Sequence, residues 1–430
     1  MGVSARALAT IAALTGVAVL AAGCSNDGSK PKWTGPDGSA GGPSASASAE
    51  LIKATFTAPA DGASNVSTAT ELSLQAAPGS NAQVTLADAS GATVAGALRS
   101  DGTTWIPATQ LKYGTQYTAT VTSAGDTAGK KITFTTMAKP GKTVNASTAI
   151  TDNKTYGVGM PIVVRFGSSV PQDLRASVEK RLLVTADPPQ VGTWHWFNGG
   201  EVHYRPKEYW KAGTKISTRL AVGGLQLTKT GWGTKDVTST FNIGDSIVMT
   251  TDDKTHQMTV EQNGQVIKTI PVSLGKPKTP SSSGHMVVMD KNQSELFVGT
   301  DPEDPYRETV YWTQRMTSGG EYIHAAPWSV DAQGKRNVSH GCTNVSESNA
   351  KFLYNLTKIG DVVIVKNTTR KLAWGNGWTD WDKSWDEYVK GSALTPPAGT
   401  ASPSASASAS ASASASASAS ASRSASAPAA

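Results

Sequence analysis

The chain has 430 residues, too many for one hydrophobic core, so length alone favours two to four domains. Charged residues make up only 17% while glycine reaches 42 residues, a balance that suits strands and turns better than long helices. The formal net charge of +6 is carried by scattered lysines and arginines without a basic run, which argues against nucleic acid as a partner.

The N-terminus begins with Arg6 and an apolar stretch from Ala7 to Ala22, with small residues before Cys24. That stretch is too short to span a bilayer comfortably and reads as a secretory signal peptide over 1–23. Residues 24–50 are mostly Gly, Ser, Pro and Ala with nothing to bury, a flexible tether. From 51 to 140, alternating runs such as Glu71–Leu74, Val84–Leu86, Tyr117–Val121 and Ile132–Thr135 are separated by turn residues, the pattern of a β-sandwich. Residues 141–245 repeat the theme, with Asn198-Gly199-Gly200 as a hairpin turn. Two immunoglobulin-like modules in tandem are therefore expected, as a stalk. His195 and His203 lie on the arms of that hairpin. With no third or fourth ligand nearby, they are expected to be surface strand histidines rather than a metal site.

From Ser246 to 367 the pattern changes to a mainly β domain. Asn263-Gly264 marks a hairpin, and the stretches His285–Asp290, Glu295–Thr300, Arg307–Thr317 and Glu321–Ala326 each read as a strand. Ser346 is a helix N-cap candidate for residues 346–357, with Ala350, Leu353, Tyr354 and Leu356 on one face; 360–366 is a buried strand. In residues 368–392, Trp378, Trp381, Trp385 and Tyr388 form a stripe at helical spacing, with Thr379 as the expected cap and Gly391 as the stop. Exposing so many aromatics is costly, so the stripe is expected to dock on the preceding domain rather than to grip glycan. Residues 393–430 are a compositionally disordered Ser/Ala tail.

Chemistry concentrates on one of the two cysteines, Cys24 and Cys342. The run Leu20-Ala21-Ala22-Gly23-Cys24 resembles the lipobox of bacterial lipoproteins, with Ala21 standing where Leu or Val is commoner. That resemblance implies a lipid on Cys24 and a place on the outer face of the cell membrane. Cys342 is then left without a partner, either a reactive thiol or a buried inert one. Its neighbours favour the first. Gly341 lets the backbone turn sharply, so that the Gly341 and Cys342 amides can face a developing oxyanion. His340 is adjacent, but neighbouring side chains on an extended segment face opposite ways, and His324 in "EYIHAA" is the better base.

With His324 followed by Ser339-His340-Gly341-Cys342-Thr343-Asn344, the sequence resembles the L,D-transpeptidase (YkuD-like) family. The resemblance extends from about 51 to 392 and to the family's actinobacterial plan: an anchor, two immunoglobulin-like domains, a catalytic domain and a Trp-bearing segment. One departure is Ser281-Ser282-Ser283, which lengthens the step from Thr279-Pro280 to Gly284. The resemblance implies Cys342 as nucleophile, His324 as base, the Ala325 carbonyl as its orienter, and Gly341 and Tyr306 at the oxyanion hole. It further implies substrate contacts from Tyr306, Gly320, Ser339, His340, Thr343 and Asn344. The implied reaction transfers an acyl group from a tetrapeptide stem of peptidoglycan, with loss of D-alanine, to the side-chain amine of a second stem. No metal or cofactor is implied, and carbapenem sensitivity is. A carboxypeptidase and a non-catalytic wall-binding lipoprotein are the competing readings.

Overall fold

A computed structural model describes residues 54–394 apart from 77–79, 100–101, 125, 300–302 and 304. The signal segment, Cys24, the tether and the Ser/Ala tail beyond 394 lie outside the described residues. Strands dominate the described part, as expected.

The first sandwich pairs two sheets. One runs Thr55–Ala58, Leu72–Gln75, Thr104–Pro107, Gly96–Leu98; the other runs Ala63–Val66, Asp126–Thr136, Gln116–Ser123, Gln83–Asp88, Thr93–Val94. Alternation places Leu72, Leu86, Trp105, Tyr117 and Phe134 between them. The second sandwich follows the same logic. Ala146–Thr148, Ile162–Phe166, Glu201–Pro206 and Gly192–Trp196 face Thr155–Tyr156, Val237–Ile243, Lys215–Leu220 and Leu182–Asp187. The hairpin at 198–200 forms where the turn residues place it. The helix Gln172–Glu179 was not expected; its apolar content is low, and its buried contribution is Val178 and Glu179.

The third unit contains two sheets. A six-stranded sheet orders Gln265–Pro271, Gln257–Gln262, Ile247–Asp252, Val362–Lys366, Ser282–Val287 and Arg370–Lys371. A four-stranded sheet orders Asp290–Val298, Arg307–Arg315, Tyr322–Ala325 and Thr343–Val345. Asn263 and Gly264 both take positive φ in the tight turn expected of them. The helix Glu347–Leu356 starts at Ser346, whose hydroxyl accepts the Asn349 amide. Its Ala350 and Leu353 enter a core with Ile323, Val345, Met316 and Met286.

The second sandwich and the third unit share a hydrophobic core, because Val287, Val362, Trp378 and Trp381 cluster with Met160, Ile162 and Trp210. Backbone crosses the joint directly: the Gly157 amide donates to Ile359 O at 2.8 Å and the Gly159 amide to Gly360 O at 2.9 Å. A Cβ on Gly157 would sit 2.2 Å from the Asp361 nitrogen, so the close approach requires glycine.

The C-terminal aromatic stripe is buried, but its principal partner is the second sandwich. Trp381 Nε1 donates to Gly159 O at 2.7 Å, and the Arg205 guanidinium lies 4.3 to 5.5 Å from the rings of Tyr388, Trp381 and Trp385. Burying one tryptophan removes roughly 200 Å² from water, worth about 5 kcal/mol, which explains why the stripe finds a partner. The same stripe also reaches the third unit's sheet, where Trp378 and Trp381 pack with Val287 and Val362 and Asp382 Oδ1 accepts the His285 amide at 2.9 Å. The segment is not one helix from Thr379. Two 3-10 turns, Asp380–Asp382 and Val389–Gly391, flank a short helix Trp385–Tyr388 that starts at Ser384 with a capping box to Glu387.

His195 and His203 are likewise buried rather than on the surface, because this segment covers them. His195 Nδ1 donates to Tyr388 O at 2.7 Å. His203 is fully enclosed, with Nδ1 on Asp380 at 3.0 Å and Nε2 on Glu201 at 2.8 Å. Burial alone would lower its pKa, but the Asp380 and Glu201 carboxylates outweigh it and lift His203 to about 9. A folded pKa above the unfolded value means stability fully present below about pH 6.5 and lost as pH rises through about 9. The shift sets an upper scale of about 3 kcal/mol. A thermal melt series from pH 6 to 10 should therefore show a falling transition temperature that His203→Gln abolishes. An identical pH dependence in both proteins would contradict the assignment.

Candidate functional site

The strand Tyr322–Ala325 pairs in parallel with Thr343–Val345, in register Ile323 to Thr343 and His324 to Asn344. Parallel partners share a face and residues two apart share a face, so His324, Asn344 and Cys342 point one way. They open on a cavity of about 320 Å³ walled by Phe297, Tyr306, Glu308, Val310, Trp328, Val338, Ser339 and His340. Ala325 and Thr343 alternate to the opposite face, and neither Thr343 nor Gly320 lines the cavity.

His324 Nδ1 donates to the Ala325 carbonyl at 2.9 Å, which fixes the tautomer and leaves Nε2 as the lone-pair nitrogen. Burial lowers its pKa, against the smaller opposing pull of that carbonyl, so the ring is neutral at pH 7 and able to accept a proton. The imidazole is flanked by Phe297 at 5.4 Å and Trp328 at 6.1 Å between ring centres.

Cys342 is 8% exposed, and its thiol donates to the Gly320 carbonyl at 3.7 Å. Burial pushes the thiol up to about 12; the Tyr322 amide opposes this, while the Glu321 and Glu295 carboxylates add to it. Burial thus favours the thiol over the thiolate in the free protein.

The loop before it is held by its own hydroxyls. Ser339 Oγ donates to Cys342 O at 2.6 Å and accepts the Gly341 amide at 3.1 Å. The expected pair of oxyanion amides is thereby halved: Gly341 N–H is committed to Ser339, while no described group accepts from Cys342 N–H. Gly341 sits at φ +126°, a conformation that demands glycine. Ser281, from the lengthened serine run, accepts the Gly275 amide at 2.9 Å and donates to Gly341 O at 2.7 Å. Ser282 is bound to Glu321, and Ser282–Val287 is a strand, so the serine run props the loop from below.

His340 lines the same cavity. Its Nε2 receives Lys276 Nζ at 3.0 Å and its ring lies 4.7 Å from Tyr306. Asn344 Nδ2 donates to Ser329 Oγ at 3.3 Å, and its Oδ1 is buried without a partner. Among the described residues no group of three or more His, Cys, Asp or Glu side chains forms a metal site.

Sequence reasoning missed Phe297, Glu308, Val310, Trp328 and Val338 as walls. The alternation of Tyr306, Glu308 and Val310 was the available signal for one side. It missed Asn376 altogether. Asn376 Oδ1 accepts the Gly319 amide at 2.7 Å, holding the turn that presents Gly320 O to the thiol. Two residues earlier, Trp374 stacks on Phe197 of the second sandwich at 4.5 Å.

Comparison with known proteins places the chain in a family. Residues 246–365 match the L,D-transpeptidase catalytic domain, and 63–226 match a bacterial Ig domain. L,D-transpeptidase 2 of Mycobacterium tuberculosis is 36% identical over 77% of this chain and 83% of its own. L,D-transpeptidase 5 of the same species is 35% identical over 79% and 77%. The solved structure of an L,D-transpeptidase from Mycobacterium smegmatis is 33% identical, covering 52% of this chain and 99% of that one, with a TM-score of 0.43. The chain belongs to the L,D-transpeptidase family.

Substitutions at three positions test the geometry. His324→Ala should slow acylation of Cys342 by at least about a hundredfold, the scale of a lost general base, whereas His340→Ala should cost less than about tenfold. Asn376→Leu should slow acylation about tenfold, the scale of one lost hydrogen bond, and Asn376→Asp should restore it. Mass spectrometry of the Cys342 adduct against time reads all of these rates.

Proposed function

We propose that the chain is a peptidoglycan L,D-transpeptidase that forms 3→3 crosslinks through a Cys342 thioester. The observation that carries this reading is the shared face of Cys342 and His324 on one cavity, with the His324 Nε2 lone pair free to take the thiol proton. Substrate entry displaces the weak thiol contact to Gly320, and His324 removes the proton as sulfur attacks the carbonyl of the third stem residue. The Cys342 amide, with the Tyr306 hydroxyl, then faces the oxyanion. Collapse expels D-alanine, which takes its proton from His324, and the side-chain amine of a second stem attacks the thioester. Ser339 and Asn344 hold the loop in position, and the aromatic walls exclude water. The buried thiol makes this base indispensable, because almost no thiolate exists at pH 7 without it.

Cys24 is the proposed lipid attachment point. Its lipobox-like context supports an anchor on the outer face of the bacterial membrane, with the tether and the two sandwiches carrying the active site into the wall. The interlocked core between the second sandwich and the catalytic unit suits a rigid spacer.

Incubating the purified protein with tetrapeptide-stem muropeptides tests the reaction. Crosslinked dimers that disappear in Cys342→Ala are the expected result. Tripeptides alone would make it a carboxypeptidase, and no product at all would leave a wall-binding lipoprotein. Carbapenem should form a stable adduct on Cys342.

A further inference from the structure

The cavity carries one charge that the catalytic scheme does not use. Tyr306, Glu308 and Val310 alternate along the segment entering the strand Arg307–Arg315, and all three side chains line the cavity beside Cys342 and His324. Glu308 pairs across the hairpin with Phe297, another wall residue, so the register aims both side chains inward. Glu308 is the one carboxylate in the wall. Among the described residues it has no ion-pair or hydrogen-bond partner, and the Lys276 ammonium is engaged by His340 Nε2 instead. Glu295 and Glu321, the two carboxylates that raise the thiol, are occupied by Tyr322, Thr313, Ser282 and Arg370. An exposed carboxylate left unpaired in a largely apolar cavity next to a nucleophile is a receptor for a cation.

We propose that Glu308 is the acceptor-recognition residue of this site: its carboxylate receives the side-chain ammonium of the second stem and holds it beside the Cys342 thioester. The inference rests on the acyl-transfer reading above and names the group that selects an amine over water. The balance is simple. The ammonium brings three protons. One is taken by His324 and passes to solvent, and nitrogen then attacks the thioester carbonyl. The C–N bond forms and the C–S bond breaks. A second proton returns to the sulfur through His324, and the third remains on the new amide. Glu308 takes no proton; it concentrates the amine and orients it.

The test uses the full chain, an isotope-labelled tetrapeptide-stem donor, and an unlabelled tripeptide-stem muropeptide with a free side-chain amine as acceptor. Crosslink and hydrolysis products are counted by mass, and the rate of Cys342 acylation by donor is followed in parallel. In Glu308→Gln, the acceptor KM should rise about fivefold with kcat at saturating acceptor changed less than twofold, and hydrolysis should gain at the expense of crosslinking. Glu308→Lys should raise the KM by about thirtyfold, and Glu308→Asp should restore most of the wild-type value. The KM of the wild-type protein should climb with salt, and that of Glu308→Gln should not. An unchanged partition in Glu308→Gln overturns the inference. So does an equal fall in acylation by donor, which would mean that Glu308 shapes the site for any substrate. Absence of a Cys342 acyl-enzyme in the wild-type protein would overturn the underlying acyl-transfer reading itself.

Discussion

The parallel pairing of two short strands, Tyr322–Ala325 and Thr343–Val345, is the constraint on which the site depends. A slip of one residue would send either His324 or Cys342 to the opposite face and separate acid from base. The register is locked from both sides. Asn344 exchanges backbone hydrogen bonds with Ser273, and Ile323 and Val345 are buried in the core that receives helix Glu347–Leu356. The proposed catalytic pair is therefore a by-product of core packing, which is how a buried thiol and a neutral imidazole are kept together at the cost of two desolvated polar groups.

Around that pair, each support satisfies a backbone group and thereby removes a degree of freedom. Ser339 closes the loop on itself, Ser281 ties it to the preceding turn, and Asn376 ties the Gly319–Gly320 turn to the C-terminal segment. That segment is in turn fastened to the second sandwich through Arg205, His203 and Phe197. A continuous set of contacts thus runs from the second sandwich to the carbonyl that holds the thiol. The second sandwich is part of the architecture of the site.

Much of this was legible in the sequence, for physical reasons that differ by element. Asn263-Gly264 and Asn198-Gly199-Gly200 are local turn chemistry, and the strands beside them announce themselves by alternation. The choice of His324 over His340 also rested on alternation; both rings line the cavity, His324 fixed by the Ala325 carbonyl and His340 set against Lys276 and Tyr306. Partners far apart in the chain were not legible. His203 looks like a surface residue until Asp380, 177 positions away, closes over it. The aromatic stripe advertised burial but not its partner, because apolar surface is non-directional. The Gly341 amide is expected at the oxyanion because glycine lets the backbone turn sharply there. Its capture by Ser339 depends on a hydroxyl rotamer that no spacing encodes. Thr343 was grouped with its neighbours by motif, and the pleat turns it to the other side.

The central claim is that Cys342 rests as a protonated thiol and is activated only by His324 when substrate arrives. The most direct test is the pH dependence of Cys342 alkylation by a small neutral electrophile in the free protein. The account predicts slow reaction at neutral pH, with the rate still rising above pH 9, as a thiol pushed up to about 12 requires. A rate that reaches its plateau between about pH 6 and 8 would instead reveal a pre-formed thiolate–imidazolium pair and contradict the account.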